Sequence, residues 1–279
     1  MEDILSYPFF QRALLGALII GFTNGCFSAY VVLRRSALVA GSLSHALLPG
    51  IAAGILVSGA LTAWSAFLGA MIAALLVVLG SLAVARSSRL DQGTALAVIF
   101  TIAFAVGLIL LKYVPVQVKL EDYLFGDILN ISSSDLWVTF GISVFTLVLT
   151  TALQRPILLT LFEPSVAAAQ GVPVRVLNYL IMTLLVLVMV SSLQAVGCIL
   201  ALGLVVAPGA TVFLLTNSTR AMFWGGGVLG AAGAVGGMVL AHYGEFRPGA
   251  TITVLLGAAF LLAFFFGPRS GFLRRAGSQ

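Results

Sequence analysis

The chain has 279 residues, of which 61% are hydrophobic and only 8% are charged, and its mean hydropathy is +1.15. Because a water-soluble domain carries about 25% charged residues, this composition excludes a soluble globular protein and indicates a chain that lies mostly within a lipid bilayer. The formal net charge is +5, but the basic residues are too scattered to predict a nucleic-acid partner. Cys26 and Cys198 both lie in apolar runs, so we expect small buried side chains and no disulfide framework.

Charged residues and turn formers divide the chain into candidate membrane spans of about 20 residues. In chain order they are 12–33, 37–58, 62–85, 94–112, 135–153, 176–193, 195–215, 221–241 and 250–267. No charge separates 176–193 from 195–215, so the sequence predicts eight or nine helices. The first span ends in Arg34 and Arg35 without a small-residue cleavage site, so we expect a retained helix. The chain is therefore predicted to be all-α, with one transmembrane domain over 1–279.

The positive-inside rule sets the orientation of these spans. With the N-terminus outside, most arginines fall on the cytoplasmic side and most acidic residues fall outside, whereas the inverted topology reverses both preferences. The loop 155–175 and the C-terminal tail are then cytoplasmic. The inside receives Arg34, Arg35, Arg86, Arg89, Arg155, Arg175, Arg220, Arg269, Arg274 and Arg275, and the outside keeps Arg12, Lys112, Lys119 and Arg247.

The second span carries an ionisable residue far from either end. His45 follows Arg35 by ten residues, which places it roughly 15 Å deep in a hydrocarbon core of ~30 Å. An ionisable group at that depth is costly and is a functional candidate, and imidazole binds zinc, manganese and iron. Ser42 and Ser44 add hydroxyls nearby. The alternative interpretation is that His45 only hydrogen-bonds a neighbouring helix.

Two prolines lie inside predicted spans. Pro49 has no N–H, so it removes the helical donor of the His45 carbonyl, and Pro208 does the same to the Leu204 carbonyl. Broken helices at membrane depth usually line a cavity that satisfies the released groups. We therefore predict that Pro49 and Pro208 are helix breaks along a transport path, although Pro49 as a simple kink is the alternative. The other histidine, His242, lies at a span end and is expected to be a solvated outer residue.

The cytoplasmic segment 162–173 contains a short helix. Pro164 suits a first helical position and Gly171 suits the position just past the end. Its alanine-rich body is slim enough to seat in a groove of another protein, but an ordinary interfacial connector fits the pattern equally well. The two lysines, Lys112 and Lys119, follow no phosphate-loop glycine pattern. The chain is therefore not expected to hydrolyse ATP by that route, and any ATP coupling has to come from a partner.

Taken together, three stretches resemble the permeases of ABC importers for manganese, zinc or iron. The resemblance extends over almost the whole chain in order and spacing. The stretches are 32–35 (VLRR) with 43–50 (LSHALLPG), then 123–129 (YLFGDIL) leading to Asp135, and 162–171 (FEPSVAAAQG) followed by 205–210 (VVAPGA).

This resemblance implies a permease subunit, and not an enzyme, in the bacterial plasma (inner) membrane. It implies cytoplasmic ABC ATPase subunits, an extracytoplasmic metal-binding receptor and a second permease, identical or not. It also implies that 163–171, with Glu163, Pro164, Ala168 and Gly171, is the coupling helix that docks on the ATPase. No covalently bound cofactor is expected; the cargo would be transported Zn²⁺ or Mn²⁺, or iron. In this family the histidine matching His45 is paired with an aspartate four residues earlier, and here that position is Gly41.

Three other functions fit parts of the sequence. A permease for a metal chelate such as cobalamin, haem or a siderophore needs a wide apolar path and no ligand at mid-membrane. An intramembrane serine protease needs its serine and its base on separate facing helices, whereas Ser44 adjoins His45 in sequence. A secondary transporter needs a further acid or base within the membrane to couple protons. We therefore favour alternating-access import of a divalent metal ion.

Overall fold

The computed structural model describes residues 7–59, 63–114 and 128–267, except the side chains at 44, 45, 63, 130, 194, 195, 198 and 199. Within these ranges every regular element is helical. The helices are α1 Pro8–Leu33, α2 Ala37–Ser58, α3 Ala63–Ser87, α4 Gln92–Leu111, α5 Ser133–Ala152, α6 Gln154–Phe162, α7 Pro164–Ala169, α8 Val174–Val196, α9 Cys198–Leu215, α10 Thr219–Gly244 and α11 Pro248–Phe266, with a 3₁₀ turn at Ile128–Asn130.

Eight helices in the described ranges are long and apolar enough to cross a membrane: α1 to α5, α8, α10 and α11. The ninth candidate, α9, has 18 residues. The uncharged division between the sixth and seventh predicted spans lies at Gly197, whose φ of 79° falls in the left-handed region. Glycine adopts this backbone conformation without the steric cost of a side chain. The backbone conformation of Gly197 therefore ends α8, although no charged residue separates the two spans. The all-α membrane fold is confirmed.

The helix contacts divide the chain into two compact units. The first contains Met1–Arg35, Leu120–Leu147 and Ser192–Gln279, and the second contains Ser36–Lys119 and Val148–Ser191. The single-domain assignment of 1–279 stays a prediction. Helix α2 with its histidine and the short helix α7 both belong to the second unit.

In the first unit, α1 packs against α9 and α10. Glycines meet across the α1–α10 contact, because a Cβ at Gly25 would collide with the backbone of Gly226, and a Cβ at Gly21 would lie 2.6 Å from the Gly230 carbonyl oxygen. The buried Asn24 amide donates to Ser192 Oγ at 2.9 Å, and the Ser192 hydroxyl donates back to Asn24 Oδ1 at 3.1 Å. Such closeness is typical of membrane helices, where small residues let backbones touch.

In the second unit, α2 packs against both α3 and α4. A Cβ at Gly50 would lie 2.6 Å from the Ala73 Cβ of α3 and would also collide with the Gly69 backbone. On α4, a Cβ at Gly107 would lie 2.7 Å from the Pro49 nitrogen. Helix α2 is thus held against the backbones of two neighbours, with no side chain between them at these points.

Candidate functional site

The backbone of His45 lies in α2, one turn after Gly41 and one turn before Pro49. Its side chain falls outside what the structure describes, so its role as a metal ligand stays a prediction. Residues four apart share a helical face, so Gly41, His45 and Pro49 belong to one face. Among the described residues, this face is open at Gly41, where an added Cβ would meet no atom within 4 Å, and closed at Pro49, which lies against Gly107.

The rest of this part of α2 is closely packed. Leu43, Ala46 and Leu47 are each exposed by 1% or less, whereas Leu38, near the start of the helix, is 81% exposed. Burial therefore fixes the rotation of α2 about its axis. The backbone of His45 lies in the turn between the open end and the packed end.

Of the two hydroxyls predicted beside His45, the structure describes that of Ser42 but not that of Ser44. The Ser42 hydroxyl donates to the Leu38 carbonyl at 2.9 Å, which leaves the lone pairs of Ser42 Oγ as acceptors. The side chain of Ser44 lies outside the described part. Pro49 has no N–H, so the His45 carbonyl oxygen lacks its usual helical donor and stays available as an acceptor or ligand.

Neither Pro49 nor Pro208 ends its helix. Helices α2 and α9 continue through Pro49 and Pro208, so each proline removes one hydrogen bond without ending its helix. The residue after Pro208 lies against α1, because a Cβ at Gly209 would be 2.6 Å from Ser28 Oγ. The place of these prolines in a transport path stays a prediction.

The first unit contains buried polar side chains that sequence reasoning did not single out. Thr23, Asn24 and Ser28 of α1 are each exposed by 3% or less, as are Ser192 of α8 and Thr211 of α9. Among them, the reciprocal pair Asn24–Ser192 lies at the end of α8, five residues before the Gly197 break. Asn24 could have indicated this contact in the sequence, because an amide inside an apolar span needs a hydrogen-bond partner in the membrane.

The short helix predicted in the segment 162–173 has the predicted limits. Helix α7 begins at Pro164, directly after Glu163, and Gly171 follows its end with φ 77°. The Gly171 N–H donates to the Ala168 carbonyl at 3.1 Å, and the Val172 N–H donates to the Ala167 carbonyl at 2.9 Å. These two bonds form a Schellman cap. Ala167 is fully buried while Ala168 is exposed, and the role of α7 in docking on an ATPase stays a prediction.

The described residues contain no cluster of three or more histidine, cysteine, aspartate or glutamate side chains that could hold a metal ion. His242 is exposed at the end of α10, and its ring lies 5.4 Å from that of Phe10. Its place at the outer surface stays a prediction.

Comparison with known proteins supplies the family. The chain is 37% identical over 275 residues to the manganese transport system membrane protein MntC of Halalkalibacterium halodurans, covering 98% of this chain and 92% of that protein. It is 30% identical over 266 residues to the chelated iron transport system membrane protein YfeD of Yersinia pestis, covering 95% and 88%. The solved structure of PsaBC from Streptococcus pneumoniae in complex with Fab contains a chain with TM-score 0.85 and 29% identity, covering 99% of this chain and 98% of that one.

A match to the ABC 3 transport family extends over residues 6–267. It confirms the resemblance found in the sequence, and the eight spanning-length helices confirm a multi-pass protein of the bacterial inner membrane. The chain therefore belongs to the ABC 3 transport family.

Proposed function

We propose that the chain is the permease subunit of an ATP-driven importer that carries a divalent transition-metal ion, with manganese as the first candidate, into the cytoplasm. The observation that carries this proposal is the 37% identity, over 98% of the chain, to a protein named for manganese transport. Zinc and iron are the other candidates, since imidazole with oxygen ligands serves all three metals.

The transport path is proposed to pass His45. A receptor outside the membrane delivers the ion, and the imidazole with the oxygens of the same turn gives it a transient position at mid-membrane. This position has to be weak, because a tight site would trap the ion. Gly41 supports weak binding of the ion, since the position one turn before His45 offers no carboxylate.

Energy is proposed to enter through α7. Two cytoplasmic ATPase subunits would each seat one permease helix α7 in a groove, and ATP binding and hydrolysis would move that helix. The exposed Ala168 and the rigid cap at Gly171 support such docking. A second permease, identical or related, completes the proposed assembly.

The test is the ATPase activity of the assembled complex in lipid, titrated with receptor and with manganese, zinc or iron. We expect the metal-loaded receptor to stimulate ATP hydrolysis. His45→Ala should lose this stimulation while His242→Ala, which removes the exposed histidine, should retain it. Full stimulation in His45→Ala at normal protein level would remove His45 from the path.

A second candidate is import of a metal chelate. It is favoured by the 30% identity to a protein named for chelated iron transport. The same titration separates the two functions. Stimulation by a receptor loaded with a chelate, with none by free manganese, zinc or iron, would favour the chelate.

A further inference from the structure

A side-chain contact joins the cytoplasmic ends of α3 and α8. The guanidinium carbon of Arg86, in the last turn of α3, lies 4.5 Å from the centroid of the Tyr179 ring, in the second turn of α8. This distance is within the range of a cation–π interaction. Both residues belong to the second compact unit. We call this contact the Arg86–Tyr179 clamp.

The clamp lies close along the chain to α7, across a stiff corner. The Schellman cap closes α7 at Gly171, and the Val174 N–H donates to the Val172 carbonyl at 2.8 Å as α8 begins. The Leu177 N–H then donates to the Pro173 carbonyl at 3.1 Å. Consecutive hydrogen bonds leave this connection few free torsions, so a displacement of α7 also displaces the start of α8.

A second contact lies one turn further along α8. Gln92 Nε2, at the start of α4, donates to Met182 Sδ at 3.8 Å. The turn between α3 and α4 is itself locked at both ends. The Ser88 hydroxyl donates to the Val84 carbonyl at 2.7 Å, and Asp91 accepts the Thr94 N–H at 3.1 Å. Arg86 and Gln92 lie on either side of this connection, and both contact α8.

From this turn, α3 and α4 reach the helix that carries His45. Gly69 of α3 lies against Gly50, and Gly107 of α4 lies against Pro49, each without room for a Cβ. Pro49 is one turn from His45. A series of contacts thus runs from α7 through α8 and the α3–α4 turn to α2, all within one compact unit.

We propose that Arg86 and Tyr179 are positioning residues that transmit movement of α7 to α2, and so couple ATP hydrolysis to release of the ion. The proposal deepens the function proposed above and rests on it for the identity of the cargo. Without the clamp, α7 still docks and the ATPase still turns over, but α2 no longer follows.

The test uses the complete transporter in lipid with an environment-sensitive fluorophore on Leu38→Cys of α2, and a second preparation labelled on Ser165→Cys of α7. Wild-type protein treated with the same fluorophore gives the background from the native cysteines. On ATP with vanadate, we expect both labels to respond in the wild type. In Arg86→Gln and Tyr179→Leu, the α7 label should still respond, whereas the α2 response should fall about three- to ten-fold, the usual range of such couplings.

Two variants serve as matched controls. Tyr179→Phe keeps the aromatic ring and should keep the α2 response. Arg89→Gln removes an equal charge from the same turn and should also keep it. In parallel, the ATP hydrolysed per ion imported should rise in Arg86→Gln and Tyr179→Leu and stay unchanged in the two controls.

An α2 response in Arg86→Gln and Tyr179→Leu equal to that of the wild type would overturn the proposal, and so would an α2 label that never responds in the wild type. Failure of the proposed function looks different. In that case the labels respond as expected, but no free metal ion is imported by any variant.

Discussion

Gly41 occupies the position where the family resemblance led us to expect an aspartate. The position lies one turn before His45, and an added Cβ would meet no atom of the described residues within 4 Å. No described neighbour therefore requires a glycine here. The remaining physical consequence is chemical, because the turn lacks the hard oxygen ligands that a carboxylate would offer manganese.

Gly41→Asp is expected to strengthen the metal position without disturbing the fold. We predict that the manganese concentration for half-maximal uptake falls about ten-fold, equivalent to ~1.4 kcal/mol, and that the maximal rate falls as release slows. Gly80→Asp is the control, since its added Cβ also meets no atom within 4 Å but lies on α3. Unchanged uptake kinetics in Gly41→Asp would show that this position does not face the ion.

Asp91 is a second residue with a measurable signature, outside the spans. Its carboxylate accepts the Thr94 hydroxyl at 2.6 Å and the Thr94 N–H at 3.1 Å, and these bonds lower the pKa of Asp91 from its ordinary value. Because the folded pKa lies below the unfolded one, the carboxylate stabilises the fold above about pH 3.9 and loses this effect as pH falls through the lower folded value.

Asp91→Ala should therefore lower the melting temperature at neutral pH, and the difference from wild type should narrow below about pH 4. Asp91→Asn keeps an acceptor for the helix start, so its melting temperature should differ from wild type by a smaller amount. A difference between Asp91→Ala and wild type that is equal at pH 7 and at pH 3 would contradict the capping role.

At the scale of elements, glycine contacts set how closely the helices approach. Gly226 of α10 faces Gly25 of α1, and a Cβ there would collide with the Gly25 carbonyl oxygen. On α11, a Cβ at Gly257 would meet nothing within 4 Å. The two glycines thus differ in environment although both lie inside long apolar helices.

Gly226→Ala should destabilise the protein by about 1–3 kcal/mol through overpacking, seen as a lower melting temperature in lipid nanodiscs. Gly257→Ala should leave the melting temperature unchanged or raise it, because alanine favours the helix. Equal melting temperatures for the two variants would contradict the backbone contact between α1 and α10.

Much of this architecture can be predicted from the sequence. Apolar length predicted the spans, Pro164 and Gly171 predicted the limits of α7, and the uncharged division between two spans lies at Gly197. Side-chain contacts between distant segments could not be predicted from one sequence. Only the tertiary fold brings Asn24 to its hydrogen-bond partner Ser192, and Arg86 to the ring of Tyr179. Pro49 and Pro208 were expected to be helix breaks, but α2 and α9 continue through them.

For the whole molecule, the orientation follows from charge and can be measured directly. With the N-terminus outside, Ser165 of α7 faces the cytoplasm and Tyr243 at the end of α10 faces the exterior. A membrane-impermeant maleimide should label Tyr243→Cys in intact spheroplasts, and it should label Ser165→Cys only after the membrane is opened. Unmodified protein serves as the blank for the native cysteines. The reverse labelling pattern would contradict the assigned topology.

The central claim is that this chain carries a divalent metal ion through the membrane past His45. The most direct measurement is ATP-driven uptake of radioactive manganese into proteoliposomes that contain the permease, its ATPase and the metal receptor. We expect uptake that requires ATP and receptor, is competed by unlabelled manganese, and falls to background in His45→Ala but not in His242→Ala. Wild-type rates in His45→Ala, or no ATP-dependent uptake of manganese, zinc or iron by the wild type, would contradict it.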